Sequence, residues 1–173
     1  GRRVPYIAAW AKPNASNNFQ KAYPIAQGCT QTQMGTVMDL EPTILSGPGV
    51  KAAKGHVLDG ADLKKLLAGK VDKKHRDDFL MHFPHQHRGS YFTTYRKGDW
   101  KLIYYYNPET DGKPTYKLFN LAEDPFEKND LAQTERKKVR ELCQLMIERL
   151  EQEKALYPID KENKTLYPVV PEV

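Results

Sequence analysis

No run in this 173-residue chain comes near the ~20 consecutive apolar residues that a membrane-spanning helix needs, so a membrane partner is not expected. Cysteine is almost missing. Cys29 and Cys143 are its two representatives, far apart and in no metal-binding or redox spacing, so at most one disulfide is open to them. Also lacking are a glycine-rich phosphate loop, a nucleophile elbow and internal repeats. Asp59, Asp62, Asp77 and Asp78 form no constellation that pairs them as acid and base. Read by chemistry alone, the chain has no active site. No export signal is visible in the sequence, but its start, Gly1-Arg2-Arg3, reads like an internal cut and leaves the compartment open.

Charge is moderate: 27 Lys and Arg against 22 Asp and Glu, a net +5. Runs such as Lys73-Lys74-His75-Arg76 and Arg136-Lys137-Lys138 spread the excess along the chain. A nucleic-acid binder more often gathers it on one element with aromatics interleaved, so no nucleic acid is expected. An anionic substrate suits the same charge.

What is present divides into two stretches. Residues 1–76 hold short elements punctuated by Pro and Gly. Val4-Pro5-Tyr6-Ile7-Ala8-Ala9-Trp10 is an apolar run with the character of a buried strand. Asp39 to Leu45 reads as a short helix capped by Asp39, with Pro42 in its first turn and Gly47-Pro48-Gly49 after it. Leu58 to Leu67 suggests another, closed by Gly69. These runs lack obvious partners, which hints at a missing domain.

Residues 77–173 are more regular. Phe79–Phe83, Tyr91–Tyr95, Trp100–Tyr106 and Tyr116–Leu121 read as strands; the middle two are aromatic and β-branched, and Lys97-Gly98-Asp99 between them signals a hairpin turn. The expectation is an α+β fold: about four antiparallel strands under a long C-terminal helix, Glu135–Lys154. Thr134 is its expected N-cap, and Val139, Leu142, Cys143, Met146 and Leu150 its buried stripe. Lys137 with Glu141 and Arg149 with Glu153 are spaced to pair. The Pro-rich tail should lie loose or drape over the surface.

The densest chemical cluster is Met81-His82-Phe83-Pro84-His85-Gln86-His87-Arg88. Three readings stay open: a zinc site, which the spacing fits poorly; an anion-recognising rim, with Arg88 offering a bidentate fork; and a solvated strand end. The tyrosines around it suit sheet core better than sugar stacking. Asp124, Glu127 and Asp130 suit a turn better than calcium.

Five segments resemble the sulfatase family in order: Arg3-Val4-Pro5; Asp39-Leu40-Glu41-Pro42-Thr43; Leu58-Asp59-Gly60; Gly98-Asp99-Trp100-Lys101-Leu102; and Leu118-Phe119-Asn120-Leu121 followed by Asp124-Pro125-Phe126-Glu127 and Asn129-Asp130-Leu131-Ala132. Gly47-Pro48-Gly49 departs from the pattern. The resemblance implies an alkaline-phosphatase-like α/β domain, of which residues 1–76 are the tail end, followed by a small C-terminal subdomain at 77–173. It implies a sulfate-ester hydrolase, periplasmic or secreted, acting on a sulfated carbohydrate or an aryl sulfate. Formylglycine and calcium would lie in a missing N-terminal domain, because Cys29 and Cys143 fit no Cys-x-Pro-x-Arg motif. The isolated chain is then expected to be inactive, with no cofactor of its own. His82, His85, His87 and Arg88 are the expected substrate contacts. A non-catalytic carbohydrate- or anion-binding module of the same descent is the alternative.

Overall fold

The computed structural model describes residues 4–87 and 90–172, in two compact units that divide between Arg76 and Asp77.

The second unit is built on four antiparallel strands: β1 (Asp78–His87), β2 (Ser90–Lys97), β3 (Trp100–Tyr105) and β4 (Thr115–Asn120), ordered β1-β2-β3-β4. The connection between β2 and β3 is two residues long. Lys97 pairs with Trp100, and Gly98 takes φ +56°, which a side chain would resist. Register places Leu80, Tyr95, Leu102 and Leu118 in one row across all four strands. That row meets α4 (Arg136–Gln152), whose Val139, Leu142, Cys143, Met146 and Leu150 are all buried. Val139, Leu142, Met146 and Leu150 each contribute roughly 1.5–3 kcal/mol by leaving water.

Two local expectations are corrected. Thr134 does not cap α4: Glu135 holds the cap position, and the Thr134 hydroxyl donates to the Leu131 carbonyl in the preceding turn. Glu141 pairs with Lys138 at 2.6 Å rather than with Lys137. Lys138 also stands 5.8 Å over the Trp100 ring, a contact that Lys137 does not make. Arg149 and Glu153 pair at 2.9 Å as the spacing predicts.

After α4 the tail carries one isolated bridge, Ile159 to Thr165, and is held by side chains. Val169 N–H donates to the Tyr104 hydroxyl at 3.1 Å, and Arg140 donates to the Pro171 carbonyl at 3.1 Å.

The first unit contains short helices only among its described residues: α1 (Asn18–Ala22), α2 (Leu40–Ser46) and α3 (Lys64–Leu67), with a 3₁₀ turn at Val37–Asp39. The run Val4–Trp10 is not a buried strand. It is irregular, with Val4 82% and Ile7 91% exposed, because no strand is there to pair with it. The stretch Leu58–Leu67 is helical only from Lys64. Its Gly60 lies hard against backbone, where a Cβ would sit 1.9 Å from the Met38 carbonyl oxygen.

Asp39 is the hub of this unit. It makes no side-chain cap to α2. Fully buried, its carboxylate instead accepts from Thr36 N–H at 2.6 Å, Ala61 N–H at 2.8 Å and Arg76 Nη2 at 3.1 Å. A buried carboxylate is tolerable only when its lone pairs are met in this way.

Candidate anion-binding edge of the sheet

β1 is an edge strand, and the histidine cluster occupies its second half. Pairing with β2 runs evenly from Asp78–Lys97 to Phe83–Phe92, then resumes at His87–Ser90. Pro84-His85-Gln86 therefore oppose Tyr91 alone. Pro84 cannot donate to a ladder, and a bulge at an edge is where a strand accommodates that. The bulge resets which way the side chains point, so strict alternation across the cluster fails.

The consequence differs for each histidine. His82 lies before the bulge on the helix side and is half-buried. Its Nε2 lies 2.6 Å from the Leu156 carbonyl oxygen and its Nδ1 lies 2.7 Å from Thr93 Oγ1. A carbonyl only accepts, so Nε2 carries the proton. Burial, with His85 nearby, holds the ring below the usual histidine pKa, although the Leu156 contact pulls the other way. In the neutral ring Nδ1 accepts from the Thr93 hydroxyl, which accepts in turn from Tyr106 at 2.9 Å. Both ring nitrogens are thus engaged inside the protein, and the ring also meets Tyr106 and Tyr157 edge-on.

His85 stands exposed on the bulge, its ring 5.6 Å from that of Phe83. Phe83, Phe92 and Tyr105 continue as an aromatic row across β1, β2 and β3 on the face away from α4. His87 ends the strand opposite Ser90, and Arg88 lies outside the described residues. The structure thus sets His82 apart from His85 and brings His85 to the end of a hairpin.

No three His, Cys, Asp or Glu side chains among the described residues are grouped to hold a metal ion. The acidic segment after β4 is a turn: Asp124 accepts from the backbone of Lys128 and Asn129, and Asp130 from Leu118 and Ala132. These carboxylates do not fit calcium. Both cysteines are free thiols, Cys29 exposed and Cys143 buried, and residue pairs Thr30-Gln31 and Gln144-Leu145 follow them rather than the x-Pro a formylglycine motif needs. No helix of the described residues is long and apolar enough to cross a membrane.

The architecture, a four-stranded antiparallel meander closed by one C-terminal helix, is that of a sulfatase C-terminal domain. The chain belongs to the family "N-sulphoglucosamine sulphohydrolase, C-terminal", whose model matches residues 17–155 and so spans both units. Among solved structures it resembles BT4656 in complex with its substrate D-glucosamine-2-N,6-O-disulfate. The identity is 29% and the TM-score 0.59, over 75% of this chain and 26% of that one. BT1596, a 2-O GAG sulfatase, shares the fold at 21% identity and TM-score 0.52, over 67% of this chain and 24% of that one. The yidJ protein of Bacteroides fragilis does so at 24% identity and TM-score 0.52, over 68% and 25% respectively. The chain therefore spans about a quarter of the length of these relatives.

Proposed function

We propose that this chain is the C-terminal part of an enzyme that hydrolyses sulfate esters of a sulfated carbohydrate in a periplasmic or secreted setting. Residues 1–76 would then complete a large α/β domain and residues 77–173 form the C-terminal subdomain. The nucleophile, a formylglycine, and the calcium ligands would come from that larger domain, leaving the isolated chain inactive. The observation that carries this reading is the family match across both units, joined to the likeness at 29% identity to a protein whose structure is in complex with a disulfated glucosamine.

Within the chain, His85, His87 and Arg88 are the proposed contacts to sulfate or sugar hydroxyls. A hairpin end bearing imidazole and guanidinium offers charge-assisted, partly bidentate donors to an oxyanion. His82 serves by positioning, since its ring holds the strand to Leu156 just before the bulge.

The test is sulfate release by the full-length protein from D-glucosamine-2-N,6-O-disulfate and from a small aryl sulfate. His85→Ala and Arg88→Ala should lower kcat/KM on the sulfated sugar far more than on the aryl sulfate. Equal losses on both, or none, would remove these residues from the site. A full-length protein that binds the sugar but releases no sulfate would favour the non-catalytic binding module.

A further inference from the structure

The net charge is not shared between the two units. Residues 1–76 carry 12 Lys and Arg against 5 Asp and Glu, a net +7, and residues 77–173 carry 15 against 17, a net −2. The even spread that the basic runs suggest is therefore replaced by a strong asymmetry. Within the first unit the excess peaks at residues 64–74, where Lys64, Lys65, Lys70, Lys73 and Lys74 are all exposed.

This stretch is a folded loop. After α3, Gly69 takes φ +73° and turns the chain, and Lys70 N–H returns to the Lys65 carbonyl at 2.9 Å. Asp72 then gathers the two ends. Its Oδ1 accepts from Lys65 Nζ and from Lys74 N–H, both at 3.1 Å. Gln33 clamps Asp72 from behind, accepting from its N–H at 2.7 Å and donating to its carbonyl at 2.9 Å. Gln31 donates to the Lys70 carbonyl at 3.0 Å. The one acidic side chain of the loop is thus committed to shaping it. Lys70, Lys73 and Lys74 have no ion-pair partner among the described residues.

Several cations held on a shaped loop, with their one carboxylate turned inward, make a surface for a linear polyanion rather than for a single anion. No Phe, Trp or Tyr occurs between Tyr23 and Phe79. Single-stranded nucleic acid is held largely by stacking its bases on aromatic rings, and this loop has none to offer. A sulfated or carboxylated polysaccharide presents repeated charge without bases.

We infer that the lysine loop 64–74 is a docking surface for a sulfated polysaccharide chain. This rests on the sulfated-carbohydrate reading above and adds that the substrate, or the matrix holding it, is polymeric.

The test is binding, measured by fluorescence anisotropy with a labelled heparin oligosaccharide across a salt series, using the full-length protein. The set Lys70→Gln, Lys73→Gln and Lys74→Gln should weaken binding roughly tenfold or more and flatten the slope of log K against log salt by about three, near one per lysine. The set Lys113→Gln, Lys161→Gln and Lys164→Gln makes the same charge change on the second unit and should leave binding within about twofold. Equal weakening by both sets would reduce the effect to net charge and overturn the loop. Single-stranded DNA of equal charge bound as tightly as heparin would overturn the polysaccharide. Because the readout is binding, absence of sulfate release by the wild type strikes the activity reading alone and leaves the loop on its own test.

Discussion

Arg76 Nη2 donates to Asp39 Oδ1 at 3.1 Å while also donating to the Asp59 carbonyl at 2.7 Å, so one guanidinium ties α2 to the loop that precedes α3. Removing the carboxylate strips this cation of its counter-charge and leaves the Thr36 and Ala61 amides without that acceptor. Asp39→Ala should therefore cost about 3–5 kcal/mol, and Asp39→Asn, which keeps one oxygen, less. Urea unfolding followed by Trp10 fluorescence in a Trp100→Phe background reads the first unit directly. A loss below about 1 kcal/mol for Asp39→Ala would show that Asp39 is not the hub.

Gly60 makes a second prediction for the same unit. A Cβ there would sit 1.9 Å from the Met38 carbonyl oxygen, and backbone cannot step aside as a flexible side chain can. Gly60→Ala should destabilise by about 3 kcal/mol or more, at the upper end of overpacking costs. Gly35→Ala is the control, since its Cβ would meet Tyr6 at an ordinary 3.5 Å, and its Trp10-monitored midpoint should hardly move.

The second unit should be sensitive to pH through His82. Its native pKa lies below the unfolded value of about 6.5, so the unfolded chain binds more protons wherever the two differ. The stabilisation from neutral His82 is complete above about pH 6.5 and is lost as pH falls toward and through the native pKa. Urea midpoints at pH 8 and pH 5 should differ more for the wild type than for His82→Gln. His85→Gln, at the exposed bulge, should keep the wild-type difference. If His82→Gln keeps it too, the contact to Leu156 is not what the acid disrupts.

The two thiols should separate cleanly. Burial pushes the Cys143 thiol up to about 12, whereas Cys29 is exposed. A thiolate-directed reagent at pH 8 should modify one cysteine in the native protein and two in denaturant. Two fast equivalents without denaturant would mean that α4 leaves the sheet readily.

These residues mark what sequence alone can reveal. The strands, the Lys97-Gly98-Asp99 turn and the α4 stripe are written in patterns of two to four residues, and the structure repeats them. Asp39 was legible only as a helix cap because its partners Ala61 and Arg76 lie 22 and 37 positions away, beyond any local signal. His82 was legible as one of a polar cluster, but its tie to Leu156 spans 74 positions. The Val4–Trp10 run has a strand's composition, yet composition does not supply a neighbouring strand. At α4 the expected cap missed by one residue because Thr134 was already engaged in the turn before it.

The strict order of the sheet also bears on how the unit assembles. Each strand pairs with the one made just before it, so the loops to be closed are short and the entropy of closing them is small. During synthesis from the N-terminal side, all four strands can zip together while α4 is still emerging. Until that helix arrives, Tyr95, Leu102 and Leu118 face water. The unit's hazard is thus a brief interval in which a finished sheet offers its apolar face to other chains, and the docking of α4 ends it.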